Sequence, residues 1–330
     1  MLGILNRADS DIFAALIAAL ERLPAQSYTV EYLEAMLGSV RALVFQAQEQ
    51  ATIGLQGAMR DLAGLEADWQ FSLYRNVLPV STNLAQVTME QAYVATYSRP
   101  FQGRLLKEWG ASLEADKMTR IRSAVRMGYL EGKPTAKIVQ EIRGTRANKW
   151  QDGLIEIDRR HAEAVTRTAL SHTAGVTRER FWDANADILG DEVWISTLDG
   201  RTSQLCRIRD HLHYDPKTHA PLGHKIPYGA GPGRLHWCCR STSCRLLAGQ
   251  KEFPGTRASA GGQVEAGTTY GAWLKRQPAA VQDDVLGTTR GALFRRGDLA
   301  IDQFSNDKGK LLTIEQLREK NAEAFAQAGL

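Results

Sequence analysis

Glu192-Val-Trp-Ile-Ser-Thr197, followed at once by Leu198-Asp-Gly-Arg-Thr202, is the stretch on which the fold of this 330-residue chain turns. Its first six positions alternate like a short strand, and Leu198-Asp199-Gly200 turns it back. Upstream the patterns are helical. Downstream, residues 201–246 are rich in Gly, Pro, His and Cys and show little periodicity. The expected fold class is therefore mainly α with a small α+β module: a helical N-terminal region, short strands with a Cys/His loop, and a helical C-terminal tail.

Going back toward the N-terminus, a long helix is expected over residues 155–182, with Val165, Ala169, His172 and Val176 on one side. His172 on that face reads as a hydrogen-bonded core histidine. Met118, Ile121 and Val125 mark an earlier helical face, and Gly132-Lys133-Pro134 stops it. Thr135 is placed to cap a short helix carrying Ile138 and Ile142, which Gly144 ends. In the first hundred residues, Ile12, Phe13, Leu16, Ile17, Leu20 and Leu23 recur at helical spacing. Asp9, Ser10 and Asp11 precede them as N-cap candidates, and Pro24 closes the element. Residues 30–50 and 51–68 continue in helical style.

Toward the C-terminus, residues 248–269 are poor in bulky apolar groups and hold five glycines, which reads as a linker. The last sixty residues return to helix, with Trp273, Leu274, Val281, Val285, Leu293 and Phe294. A capping box, Thr313-Ile-Glu-Gln316, opens a final helix with Leu317 on its inner face. The domain boundaries expected are 1–115, a helical, variable, partner-binding region; 116–248, the central module; 249–269, a flexible linker; and 270–330, a helical extension.

All four cysteines lie between Cys206 and Cys244, and five of the seven histidines lie between His211 and His236. His236-Trp-Cys-Cys239 has the spacing of one half of a zinc site, because short turns commonly supply tetrahedral ligands in pairs. Cys206 begins the other half, but the position three before it is Ser203. His211, His213, Cys238 or Cys244 stand as candidates for the fourth ligand beside Cys206, His236 and Cys239. A bound metal would order an aperiodic segment; ordinary buried thiols and surface histidines are the other reading. A nucleophilic Cys239 with His236 or His224 is a third, weakened by the competing thiols in the same loop. Asp199-Gly-Arg201-Thr202 reads as a turn whose Asp can cap amides and whose Arg can pair with a carboxylate. Gly229-Ala-Gly-Pro-Gly233 lacks the Lys-Ser/Thr of a phosphate loop.

Charge is uneven. Residues 1–100 carry 6 Arg, no Lys and 10 acids; residues 101–330 carry 35 basic and 27 acidic residues. A basic excess of +6 falls in residues 201–245, which can attract nucleic acid or an acidic surface or simply solvate loops. No apolar run reaches the roughly 18–20 residues of a membrane span. The start, with Asp9 and Asp11 interrupting it, reads as lacking an export signal, so the cysteines are expected as thiols or metal ligands.

Taken in order, several pieces resemble the phage head-morphogenesis family, the Mu F-like minor head (minor capsid) proteins. These are Arg126-Met-Gly-Tyr-Leu-Glu-Gly-Lys-Pro134, Arg167-Thr168, Trp194-Ile-Ser-Thr-Leu-Asp-Gly-Arg-Thr202 with Cys206, and Gly233-Arg-Leu-His236-Trp-Cys-Cys239-Arg240. The tail adds Tyr270-Gly-Ala-Trp-Leu-Lys-Arg-Gln-Pro278, Gln282-Asp-Asp-Val-Leu-Gly287 and Leu293-Phe-Arg-Arg-Gly-Asp-Leu299. The resemblance covers roughly residues 115–320. Ala169 stands where the family has glutamate, Ser203 and Ser241 where it has cysteines, and Trp237 where it has proline. The resemblance implies a Mu F-like module at 116–248 in a structural, non-enzymatic virion component. That component would sit in few copies inside the head near the portal and be assembled in the host cytoplasm. The partners implied are the portal protein, the major capsid and scaffold proteins, and packaged DNA held without base reading; a membrane is not among them. It would assist head assembly, with a part in DNA packaging or ejection, and carry one structural zinc ion. Under this reading Cys206, His236 and Cys239 pin the loop, Asp199, Arg201 and Thr202 shape its turn, and Arg167, Thr168 and Arg240 complete the motif. The alternative from another class is a virion-associated zinc-dependent nuclease or Cys/His hydrolase.

Overall fold

The computed structural model describes residues 1–21, 34–78, 82–250 and 254–330. It is mainly helical with a small antiparallel sheet, and it divides into two compact units. One comprises residues 1–72 and 87–177, the other residues 73–86 and 178–330. These units cut across the boundaries drawn from the sequence, because two long helices run through the division. Leu23, the Pro24 stop and residues 30–33 lie outside the described residues.

The first unit is helical: α1 (Leu2–Glu21), α2 (Gly38–Val77, its first part), α3 (Met89–Tyr97), α4 (Leu106–Leu130), α5 (Thr135–Arg143) and α6 (Leu154–Ala184, its first part). Ile12, Phe13, Leu16 and Leu20 of α1 share one core with Val40 and Val44 of α2, Met118, Ile121 and Val125 of α4, and Ile138 and Ile142 of α5. The spacing anticipated which face is inward for these residues but not for Ile17, which is exposed. It misplaced the ends. Asp9 is not a cap but lies within α1, buried, and pairs with Lys117 Nζ at 3.1 Å and Arg159 at 2.6 Å. A buried carboxylate needs such partners. Thr135 is likewise the first residue of α5, and Pro134 holds the cap position, where the absence of an N–H costs nothing. Gly144 ends α5 at φ 91 as expected.

The Gly128/Gly132 spacing also has a local cause. A Cβ on Gly128 would lie 2.5 Å from Ile138 Cγ1, so glycine lets α4 and α5 approach. Gly132 turns the chain at φ 68. His172 is buried in the unit, its Nε2 3.3 Å from the Thr96 carbonyl and its ring beside Phe101. Ala169 is fully buried in the second core of this unit, with Leu55, Phe101 and Val165.

The second unit holds the sheet, in strand order β3-β2-β1-β4. Here β1 is Leu189–Ile195, β2 His213–Tyr214, β3 Pro221–Leu222 and β4 Thr242–Leu247, with the single helical turn α7 (Gln204–Arg207) between β1 and β2. All pairings are antiparallel, with Val193 opposite His213 on one side and Cys244 on the other. The strand expected over residues 192–197 thus begins earlier and ends at Ile195. Glu192, Val193 and Trp194 are all buried, because β1 is central and covered on both faces rather than half-solvated. Glu192 is satisfied by the Tyr228 hydroxyl at 2.7 Å and lies 3.5 Å from His219.

Residues 249–269, read from their glycines as a flexible linker, contain a hairpin of β5 (Thr256–Ser259) and β6 (Gly262–Glu265). Its anchor is polar. Arg257 reaches both oxygens of Asp210 at 3.1 Å, the Thr268 carbonyl at 3.0 Å and the Ser196 carbonyl. Beyond it come α8 (Tyr270–Lys275), α9 (Ala279–Leu286), α10 (Thr288–Arg296), a 3-10 turn, α11 (Ile314–Lys320) and α12 (Ala322–Ala328). These are no separate appendage: Trp273, Leu293, Phe294, Leu317 and Phe325 share one core with Leu198 and Ile208 of the central loop.

The expected capping box is present at α11. Thr313 Oγ1 accepts the Gln316 amide and the Gln316 side chain accepts the Thr313 amide. Thr313→Ala should cost about 1 kcal/mol. Urea unfolding should show this as a lower midpoint with an unchanged slope.

Candidate functional site

The site is built on the two ends of the loop that follows β1. At one end Ser203 caps the single turn α7, and its hydroxyl accepts the Cys206 amide. This turns the Cys206 side chain inward, where it is 2% exposed. At the other end the chain bends between His236 and Cys239, with the Cys239 amide donating to the His236 carbonyl at 3.2 Å. Cys238 adopts a left-handed φ of 55 and stays exposed, while Cys239 is buried. Around them Trp194, Tyr214 and Tyr228 form a small aromatic core.

Three of the residues proposed from sequence meet here. Cys206 Sγ lies 3.3 Å from His236 Nε2 and 3.6 Å from Cys239 Sγ. The donor atoms of Cys206, His236 and Cys239 all fall within 4.8 Å of one another, and they form a candidate metal-binding group. None of the four cysteines is in a disulfide. His236 Nδ1 is 2.9 Å from the Trp237 carbonyl, which fixes that nitrogen as the N–H and turns Nε2 toward the thiols. The hydrogen bond between the thiols raises Cys206 and lowers Cys239, and the neighbouring Cys239 raises His236. Such a thiolate beside an imidazole is the state from which a soft metal ion is bound.

The candidates for a fourth ligand are elsewhere. The His211 ring is 2.7 Å from an Arg257 nitrogen, and its burial lowers its pKa. His213 sits in β2 with its ring 3.3 Å from Asp191. Cys244 lies in β4 opposite Val193, its thiol raised to about 12 by desolvation. Among the described residues, none of these or Cys238 joins the converging group. Ser203 does approach it, with Oγ 2.7 Å from His236 Nε2.

The turn is organised around Asp199. Its carboxylate accepts the Arg201 amide at 3.0 Å and the Thr202 hydroxyl at 3.2 Å. It also takes a two-pronged ion pair from Arg240 at 2.5 and 2.7 Å. Asp199 caps amides as expected, while its ion-pair partner is Arg240, the residue after Cys239; Arg201 contributes its backbone. Thr202 also donates to the Thr197 carbonyl at 2.6 Å. The two cysteine-bearing arms are therefore tied twice, once at the thiols and once at Asp199–Arg240. Arg167 and Thr168 belong to the first unit, where Arg167 pairs with Glu163 one turn away and Thr168 is buried.

No family model, no curated protein and no solved structure matches the chain.

Sequence reading missed Arg207, whose guanidinium donates to the Thr202 and Val285 carbonyls, each at 2.6 Å, and so fastens the turn to α9. It missed Arg209 as well, which donates to Pro227 and Leu205 carbonyls beneath Trp194. Both replace regular hydrogen-bond ladders in a loop, and one sequence carries no signal that marks an arginine for this role.

The Asp199–Arg240 tie makes a pH prediction. Arg240 holds the Asp199 carboxyl at about 2 against an ordinary 3.8. A depressed carboxylate pKa stabilises the folded form above the unfolded value, and the contribution disappears as pH falls from about 4 toward about 2. The wild type should therefore be more stable than Asp199→Asn at neutral pH and lose that advantage across this window. An advantage unchanged by acidification would contradict the assignment.

Proposed function

We propose that this chain is a structural minor head protein of a phage, which assists capsid assembly near the portal and has a part in DNA packaging or ejection. One observation carries the reading: the order and spacing of the motifs from Arg126 to Arg240, and onward into the tail, resemble the Mu F-like proteins. The geometry supports it in that the quoted residues act as fasteners. Gly128 lets two helices pack closely, Gly132 turns the chain, Asp199, Thr202 and Arg240 tie a turn, and Cys206, His236 and Cys239 converge. The protein would lie inside the head, after assembly in the host cytoplasm, against portal and major capsid or scaffold proteins. The basic excess of residues 101–330 suits contact with DNA phosphates, which needs no base reading. No described helix is long and apolar enough to cross a membrane.

In this reading one structural zinc ion joins Cys206, His236 and Cys239. Zinc bonds of about 2.3 Å to sulfur and about 2.0–2.1 Å to nitrogen, at tetrahedral angles, set sulfur about 3.8 Å from sulfur and about 3.6 Å from nitrogen. The separations of 3.6 and 3.3 Å are within a few tenths of those edges. Zinc supplies a cross-link between the arms and no chemical step.

A Cys/His hydrolase or zinc-dependent nuclease is the second reading, favoured by the lowered Cys239 beside a raised His236. Burial weighs against it, since Cys239 is 1% exposed and a nucleophile must reach its substrate. Co-expression with the portal and major capsid proteins tests the structural reading: the chain should co-sediment with assembled particles. Turnover of an ester, peptide or nucleic acid that Cys239→Ser abolishes in a folded protein would favour the enzyme.

A further inference from the structure

Resting on the zinc reading above, we propose that the Ser203 hydroxyl supplies the fourth corner of the metal site, giving a ligand set of two thiolates, one imidazole and one hydroxyl oxygen.

Ser203 is carried by the same turn as Cys206, three residues earlier, with the extended backbone of a helix cap at φ −64, ψ 152. That conformation directs its hydroxyl back over the first turn of α7, so that Oγ faces His236 Nε2 at 2.7 Å and lies 3.4 Å from the Cys206 amide. It therefore touches ligands on both arms, one from its own turn and one from the His236–Cys239 bend. In a tetrahedral zinc site nitrogen and oxygen lie about 3.4 Å apart, so Ser203 and His236 need separate by little more than half an ångström. Two other serine hydroxyls are nearby and are engaged with each other and with backbone: Ser241 donates to Ser196 Oγ at 3.5 Å, and Ser196 Oγ donates to the Cys206 carbonyl at 2.7 Å.

A serine hydroxyl is a harder and weaker zinc ligand than a thiolate. The site is therefore a reversible one, which holds its ion less tightly than a set of three thiolates and an imidazole, and gives it up more readily to a chelator.

Zinc affinity of the full-length protein, measured by competition with a chromophoric chelator, and the visible spectrum of its cobalt(II) form test this. Ser203→Cys supplies a third thiolate and should raise zinc affinity on the order of tenfold or more while adding thiolate-to-cobalt charge-transfer intensity. Ser203→Ala should lower affinity by on the order of tenfold. It should also let added azide shift a cobalt spectrum that azide leaves unchanged in the wild type. Ser241→Ala should leave affinity and spectrum as they are. Should Ser203→Ala fail to fold, the cysteine variant alone decides, since it stays close to serine in size and shape. Metal binding identical in wild type, Ser203→Cys and Ser203→Ala would overturn the fourth corner and leave the zinc reading standing. A wild-type chain that takes up neither metal would overturn both.

Discussion

Zinc added to the metal-free protein is expected to raise its unfolding midpoint by roughly 5–10 °C when free zinc stands about a hundredfold above its dissociation constant. A ligand bound only by the native state contributes about 2.7 kcal/mol at that excess. For a unit of this size each kcal/mol moves the midpoint by about 2–4 °C. The reason the effect should be large lies in the loop. Between β1 and β4 only two very short strands, one helical turn and side-chain ties order the chain, yet Trp194, Tyr214 and Tyr228 are packed there. A cross-link between Cys206 and the His236–Cys239 bend, made only in the folded state, holds the two arms where regular structure restrains them least. Calorimetry with zinc and with a chelator reads the difference, and Cys206→Ser should abolish it. Coincident midpoints in the two conditions would remove the metal from the account.

Arg257→Ala should be the most damaging substitution outside that cluster, with a cost of about 3–5 kcal/mol. Asp210 is 1% exposed at its side chain, and it accepts the Ser196 amide at 2.7 Å and the Tyr270 amide at 2.6 Å. Without the guanidinium those neutral donors would be left to hold a buried negative charge. The same arginine closes the carbonyls of Ser196 and Thr268 and meets the His211 ring. Denaturant titration should show most of the second unit's stability lost. Asp210→Asn together with Arg257→Ala should recover part of it, since the charge leaves with its partner. A loss below about 1 kcal/mol, the value of an exposed pair, would mean that the hairpin is only loosely attached.

Those two residues also show how far the sequence could be read. The inward faces of the helices were legible because Ile12, Leu16, Ile121 and Val125 repeat at the period of a helix, and burial follows that period. The Cys/His cluster was legible because its residue types are rare and concentrated. The hairpin of β5 and β6 was not: glycines and small residues hide its alternation, and it is held by scattered contacts with no periodicity, Arg257 on Asp210, the Ala260 amide on the Leu198 carbonyl and Val264 against the core. Asp9 was misread for a related reason. An acid ahead of an apolar run is a good helix start locally, but Lys117 and Arg159, more than a hundred residues away, give it a buried place within the helix. Ser203 stood in plain view as a gap in the ligand pattern. Only its distance to His236 gives the hydroxyl a role.

Particle composition is the decisive check on the proposed role of this chain as a component of the phage head. Heads assembled from co-expressed portal, major capsid protein and this chain would be purified, washed in high salt and treated with nuclease, and the chain then quantified against the major capsid protein. The account predicts retention in few copies per head, dependent on the portal, and reduced for a Cys206→Ser, Cys239→Ser double variant. Heads that assemble fully without the chain, and leave it wholly in the soluble fraction, would contradict it.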